Sequence, residues 1–225
     1  MARGQRADLA LPRLRPLGEA ALTLELGERL DAVTSRRVRA VAQAMRLPAG
    51  AGEVVPALTS LSVFFDPERL SGSELADRLL LAAARTVVPD PGRGDVLDLP
   101  VFFGGEEGPD LAAVASACGR SSSEVVAALC DLELEVMMIG FLPGFPYLGP
   151  LPDWLNLPRR AEPRLRLPAG SVALAGGLAG IYPVASPGGW HLVGRCAVPL
   201  FDANDPVRPA RLQAGDRVRF VAGDR

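Results

Sequence analysis

The chain has 225 residues, 48% of them hydrophobic and 22% charged, with a formal net charge of −2. These values fit a globular protein of one large or two small domains and make no electrostatic case for nucleic acid. All 24 basic residues are arginine and His191 is the single histidine, which excludes a P-loop, a Schiff-base or PLP lysine, a biotinyl-lysine and any two-imidazole zinc site.

Arg3, Arg6, Arg13 and Arg15 read as a solvated, frayed N-terminal tail. Pro12, Arg13, Arg15 and Pro16 interrupt any signal-peptide core, and the longest aliphatic run, residues 79–84, is too short to span a bilayer. Cys118, Cys130 and Cys196 are odd in number and lack CxxC spacing, as expected of buried free thiols in a reducing cytoplasm. Residues 20–26 alternate as a half-buried strand, with Ala20, Leu22, Leu24 and Leu26 on one face. After Asp31, the spacing of Val38, Val41, Ala42 and Met45 predicts a helix with Arg36, Arg37 and Arg39 turned outward. Strands follow around Val54 and over 58–65, and Ser71 with Glu74 forms a capping-box pattern before a helix through Leu75, Leu79 and Ala82. The predicted order β-α-β-β-α describes a small α+β domain over residues 1–88.

The aperiodic, turn-rich segment 87–95 reads as an interdomain linker, so a second domain spans 89–225. It opens with a strand, VLDLPVFF, then a helix with Pro109 in its first turn and a second helix announced by Ser121 and Glu124. LELEVMMIGF alternates at Leu132, Leu134, Val136 and Met138. Beyond residue 140 only short strand-like pieces remain (SVALAG, GIYPV, HLVGRCAVPLF, DRVRFVA), which predicts a small closed or nearly closed β-barrel.

Chemistry concentrates between Gly140 and Gly189, where Gly and Pro alternate with Phe141, Phe145, Tyr147, Trp154 and Tyr182, and with Trp190 just beyond. Pro fixes φ and Gly alone takes positive φ without strain, so this string specifies turns and a shaped surface rather than a linker. PRRAEPR places Arg159, Arg160 and Arg164 on a stiff backbone, suited either to binding a carboxylate or phosphate or to pairing with nearby carboxylates. In GGEEGPD, the carboxylates Glu106, Glu107 and Asp110 beside a helix N-terminus fit capping and dipole roles, with acid/base work the lesser reading. In SPGGWH, Ser186, Gly188 and Gly189 permit close backbone approach beside Trp190, and Arg195 follows. No catalytic residue is fixed by these patterns; His191 and Glu106 are weak candidates, and no metal site is expected.

GGEEGPDL, IGFLPGFPYLG, PRRAEPRLRLPAGSVALAGG, GIYPVASPGGWHLVGR and GDRVRF follow one another in the order seen in the KipI/PxpB family, also called allophanate hydrolase subunit 1. The resemblance covers residues 96–221 and implies a cyclophilin-like C-terminal barrel. It further implies a cytoplasmic subunit, inactive alone, of an ATP-dependent 5-oxoprolinase or related amidolyase. Its partners would be a KipA/PxpC-type and a PxpA-type subunit, without membrane or nucleic acid, and ATP would be bound with or by them, with no biotin on this chain. The alternative is a KipI-like inhibitor of a sensor histidine kinase, antagonised by a KipA-type partner. Within the leading reading, Phe145, Tyr147, Arg159, Arg160, Arg164, Tyr182, Ser186, Gly188, Gly189, Trp190 and Arg195 are the expected substrate- or partner-binding residues. The chain departs from the family pattern at Leu129, Leu134, Met137, Leu178 and Ala179, each replacing a polar residue expected near the cleft.

Overall fold

The computed structural model describes residues 12–90 and 95–223; Arg3 and Arg6 of the expected tail lie outside them. The chain divides into two compact units, Met1–Pro91 and Gly92–Arg225, a boundary within the turn-rich 87–95 segment.

The first unit contains β1 (Arg13–Pro16), β2 (Ala21–Glu25), α1 (Ala32–Ala44), β3 (Ala51–Pro56), β4 (Ser60–Phe65) and α2 (Gly72–Arg85). Its strands form an antiparallel sheet in the order β1-β2-β4-β3. Alternation turns Leu24, Leu61, Val63 and Phe65 toward Val38 and Val41 of α1 and Leu75 and Leu79 of α2, which together form one apolar core. Asp31 caps α1 by accepting from the Thr34 amide at 2.7 Å.

Three expectations are corrected in this unit. Arg13 and Arg15 belong to a paired edge strand, held by Glu28 at 2.8 Å and Glu25 at 2.6 Å, so the order is β-β-α-β-β-α. A four-residue edge strand ending in proline carries too little alternation to stand out in the sequence. Arg37 points inward, 9% exposed, and donates to the Leu26 carbonyl at 3.0 Å. Burial lowers its pKa. Ser71 accepts from the Glu74 amide at 3.2 Å, while the Glu74 carboxylate turns to Arg78 at 2.9 Å, which leaves only half of the expected capping box.

The second unit runs β5 (Val96–Phe103), α3 (Leu111–Ala117), α4 (Ser122–Asp131), β6 (Leu134–Ile139), β7 (Pro146–Gly149), a 3-10 turn (Asp153–Leu155), β8 (Arg164–Leu167), β9 (Ser171–Ala175), β10 (Leu178–Ile181), β11 (Ser186–Gly188), β12 (His191–Cys196) and β13 (Arg217–Ala222). Seven strands close a barrel in the order β10-β7-β6-β13-β5-β12-β9, and β8 with β11 forms a separate two-stranded ribbon. Aliphatic side chains such as Leu99, Val136, Leu148, Val172, Ile181 and Val193 fill its core with Phe220, and Val114, Val125 and Leu129 of the two helices pack onto it. The expected closed β-barrel is therefore present. Ser121 and Glu124 form the full capping box of α4.

Here too the structure corrects details: of the three thiols expected to be buried, Cys196 is, while Cys118 and Cys130 pack at the edge of the core and are only partly covered. Pro109 precedes the helix, because Asp110 is the N-cap of α3 and makes no capping bond with its side chain. The strict alternation of β6 breaks at a bulge between Val136 and Met138, which turns Met137 inward. The Gly/Pro string is not one long loop, since it contributes barrel strands β7, β9 and β10 as well as the ribbon. Leu129, Leu134 and Ala179 lie in the barrel core, while Met137 and Leu178 are buried at Gly149, whose hypothetical Cβ would meet both. These apolar departures are packing residues, and none lines the aromatic cleft described below. Among the described residues no helix is long and apolar enough to cross a membrane.

Candidate active site: an aromatic cleft with one uncompensated arginine

A cleft of about 400 Å³ opens between the ribbon and the end of the barrel that carries β7 and β10. Phe145, 1% exposed, is its hub. Its ring makes edge-to-face contacts with Tyr147 (5.0 Å), Tyr182 (5.1 Å) and Trp190 (5.9 Å), the geometry in which positive ring edges meet negative faces. Glycine makes this density possible. A Cβ on Gly180 would lie 2.6 Å from the Phe145 ring, and one on Gly188 would collide with the Tyr182 hydroxyl and the Leu167 side chain. Phe141, Leu142, Arg159, Pro163, Ser186, Pro187 and Gly189 complete the lining.

The three arginines of PRRAEPR part company. Asp110, 50 and 54 residues away, accepts from Arg160 Nη1 at 3.0 Å and from both ends of Arg164 at 2.7 and 2.8 Å, and also takes the Leu192 amide at 2.8 Å. Burial would raise the Asp110 pKa, but the Arg164 and Leu192 hydrogen bonds and the two positive charges outweigh it and hold the carboxyl below its ordinary value. Arg160 and Arg164, expected to bind an anion, are thus engaged by an internal one. Arg159 lines the cleft and has no carboxylate partner among the described residues.

The loop that carries Arg159 is tied down at several points. The Arg160 amide donates to the Gly189 carbonyl at 2.8 Å, and His191 Nε2 lies 2.9 Å from the Pro158 carbonyl. His191, a weak catalytic candidate, therefore braces the loop, and neither it nor the exposed Glu106 lines the cleft. Arg195 lies elsewhere, in a second depression of about 380 Å³ with Glu107 at 3.5 Å.

Of the expected binding residues, the structure brings Phe145, Tyr147, Arg159, Tyr182, Ser186, Gly188, Gly189 and Trp190 into one cleft and leaves Arg160, Arg164 and Arg195 outside it. Phe141, Leu142, Pro163 and Pro187 were missed, although the density of aromatic and turn-forming residues around them was the available signal. Burial pushes up the pKa of both phenols, Tyr182 to about 12 with Tyr147 adding to the rise, so both are neutral donors near pH 7. The lining offers one cation, two phenols, one indole, one hydroxyl and backbone groups, with no carboxylate, imidazole or thiol. Such a surface can bind and orient a small anion with an apolar or flat body. It supplies no group suited to general-base or nucleophilic work at neutral pH.

The family model for the carboxyltransferase domain, subdomains C and D, matches residues 12–211. The B subunit of the 5-oxoprolinase of Escherichia coli O157:H7 is 41% identical over 208 residues, covering 91% of this chain and 93% of that protein. The crystal structure of TTHA0988 aligns with a TM-score of 0.76 at 37% identity over 94% of this chain, which spans 41% of the length of that one. The urea carboxylase of Kluyveromyces lactis shares the fold, with a TM-score of 0.78 at 20% identity over 95% of this chain and 22% of that one. The chain belongs to the carboxyltransferase C and D domain family and, within it, to the PxpB family of 5-oxoprolinase B subunits.

Proposed function

We propose that the chain is a non-autonomous subunit of a cytoplasmic, ATP-dependent 5-oxoprolinase, in which water is added across the lactam C–N bond of 5-oxoproline to give glutamate. One observation carries this reading. The cleft holds an uncompensated arginine among aromatic walls but no general base or nucleophile, so it is equipped to hold a small carboxylate and depends on another chain for the chemistry. The relatives named as the B subunit of 5-oxoprolinase support the same reading, and the three free thiols fit a reducing compartment.

The glycine turn ahead of α3 does not suit a phosphate. The Gly104–Gly105 turn ahead of α3 carries Glu106, Glu107 and Asp110 rather than cations, and carboxylates there would repel phosphates. In this reading ATP is bound with or by the KipA/PxpC-type and PxpA-type subunits. Reconstitution tests the proposal. The purified chain should show no 5-oxoproline-dependent ATP hydrolysis, the three-subunit mixture should show it, and omitting this chain should abolish it. A complete mixture without 5-oxoproline-dependent turnover overturns the proposal.

A further inference from the structure

The most strained backbone on the rim of the cleft belongs to its most exposed ring. The Leu142 amide donates to the Gly140 carbonyl at 2.9 Å around Phe141, whose φ is +70°. This is the rare, strained hand of the γ-turn, and Phe141 is the only non-glycine residue with positive φ among the described residues. Burial does not offset the strain, because the side chain is 63% exposed and touches the ring cluster only edge-on, 5.6 Å from Phe145 and 6.4 Å from Tyr182. Bulky residues held this way concentrate at ligand clamps. The same cleft contains Arg159, a guanidinium with no internal carboxylate, although the other two arginines of the motif both pair with Asp110.

We propose that the cleft is a selective site for a small carboxylate bearing a flat amide ring, with Arg159 anchoring the carboxylate and Phe141 clamping the face of the ring. The proposal rests on the reading of the chain as part of a 5-oxoprolinase, and it assigns to this chain the first hold on the substrate. The fork of Arg159 matches a carboxylate, and the residue is exposed, so an incoming anion can reach it from solvent. A five-membered lactam fills only part of about 400 Å³, which leaves room for the Phe141 ring to swing inward. The protonated phenols of Tyr147 and Tyr182 are available to donate to the lactam carbonyl.

The test is titration of the full chain with 5-oxoproline, with 2-pyrrolidone (the lactam without a carboxylate) and with cyclopentanecarboxylate (the carboxylate without a lactam), read by calorimetry and by Trp190 fluorescence in a Trp154→Phe background. Expected is binding of 5-oxoproline at least about tenfold tighter than either fragment, with Arg159→Gln lowering 5-oxoproline affinity about tenfold to a hundredfold. Phe141→Gly should hold or raise Tm, because the strain is relieved, while lowering affinity about tenfold. Equal binding of 2-pyrrolidone, or an indifferent Arg159→Gln, overturns the carboxylate anchor and leaves the subunit reading standing. Equal binding of cyclopentanecarboxylate keeps the anchor but overturns the lactam selectivity and with it the 5-oxoproline reading. A Phe141→Gly chain that loses Tm shows a packing role and overturns the clamp. One that keeps ligand affinity but no longer co-purifies with its partner subunits also overturns it, and makes the ring a contact between subunits. No binding by the chain alone or by the reconstituted complex overturns the whole proposal.

Discussion

Asp110 receives Arg164 through two parallel hydrogen bonds, at 2.7 and 2.8 Å, and so fixes the start of β8 against the N-terminus of α3. Because Arg160 and the Leu192 amide share the same carboxylate, this single side chain holds the loop that presents Arg159. Asp110→Ala is expected to cost about 3 kcal/mol, the low end of the range for breaking a buried pair, since both guanidinium groups keep some solvent. Chemical denaturation measures it.

The same carboxylate predicts an acid-sensitive component of stability. Its folded pKa lies below its ordinary value, so its contribution is complete above about pH 4, the unfolded value, and is lost as pH falls through the folded value. The Tm gap between wild type and Asp110→Asn should be widest at neutral pH and close on acidification below about pH 4. A gap that stays constant down to the lowest accessible pH would contradict the assignment.

The chain has only two tyrosines, Tyr147 and Tyr182, and both line the cleft. Alkaline titration of phenolate absorbance therefore reads the site directly. Neither phenol should ionise at the ordinary value near 10 while the chain stays folded, and the later transition, near 12, should vanish in Tyr182→Phe. Because the unfolded phenols release their protons first, stability should fall as pH rises from about 10 toward 12.

Gly188→Ala forces a methyl group against the Tyr182 hydroxyl and the Leu167 side chain. The expected cost is about 1–3 kcal/mol, together with a shifted Trp190 emission spectrum as the ring cluster rearranges. Gly176→Ala, whose Cβ would meet open space at a positive φ of 59°, should lose stability through backbone strain alone and leave that spectrum unchanged.

Ala179 is fully buried in the barrel core. Ala179→Thr should destabilise this chain by about 1–3 kcal/mol, because an added hydroxyl and methyl enter space already filled. Thermal unfolding of the single variant checks it.

Local signals carried much of this architecture. The alternation of β2 and β4, the Asp31 and Ser121 caps and the short strands beyond residue 140 are all readable from neighbouring residues. The aromatic cleft was legible for a related reason: glycines and prolines mark where rings can approach closely. Which arginine stays uncompensated was not legible, because it depends on Asp110, which lies 50 residues from Arg160 and 54 from Arg164. The inward turn of Arg37 escaped for the same reason, since its acceptor is the Leu26 carbonyl in the segment after β2. The bulge at Met137 follows from pairing with β7, which no single-strand pattern encodes.

β5 and β13 lie side by side in parallel, Val96 opposite Arg217, and β13 is the strand inserted between β5 and β6 in the ring. The first strand of the unit thus waits for the last before the circle can close. On a ribosome, the helices and hairpins between them can form early, but the completed barrel is a late event that follows emergence of residues 217–222. Until then β5 presents an open edge, the surface most exposed to mispairing during synthesis.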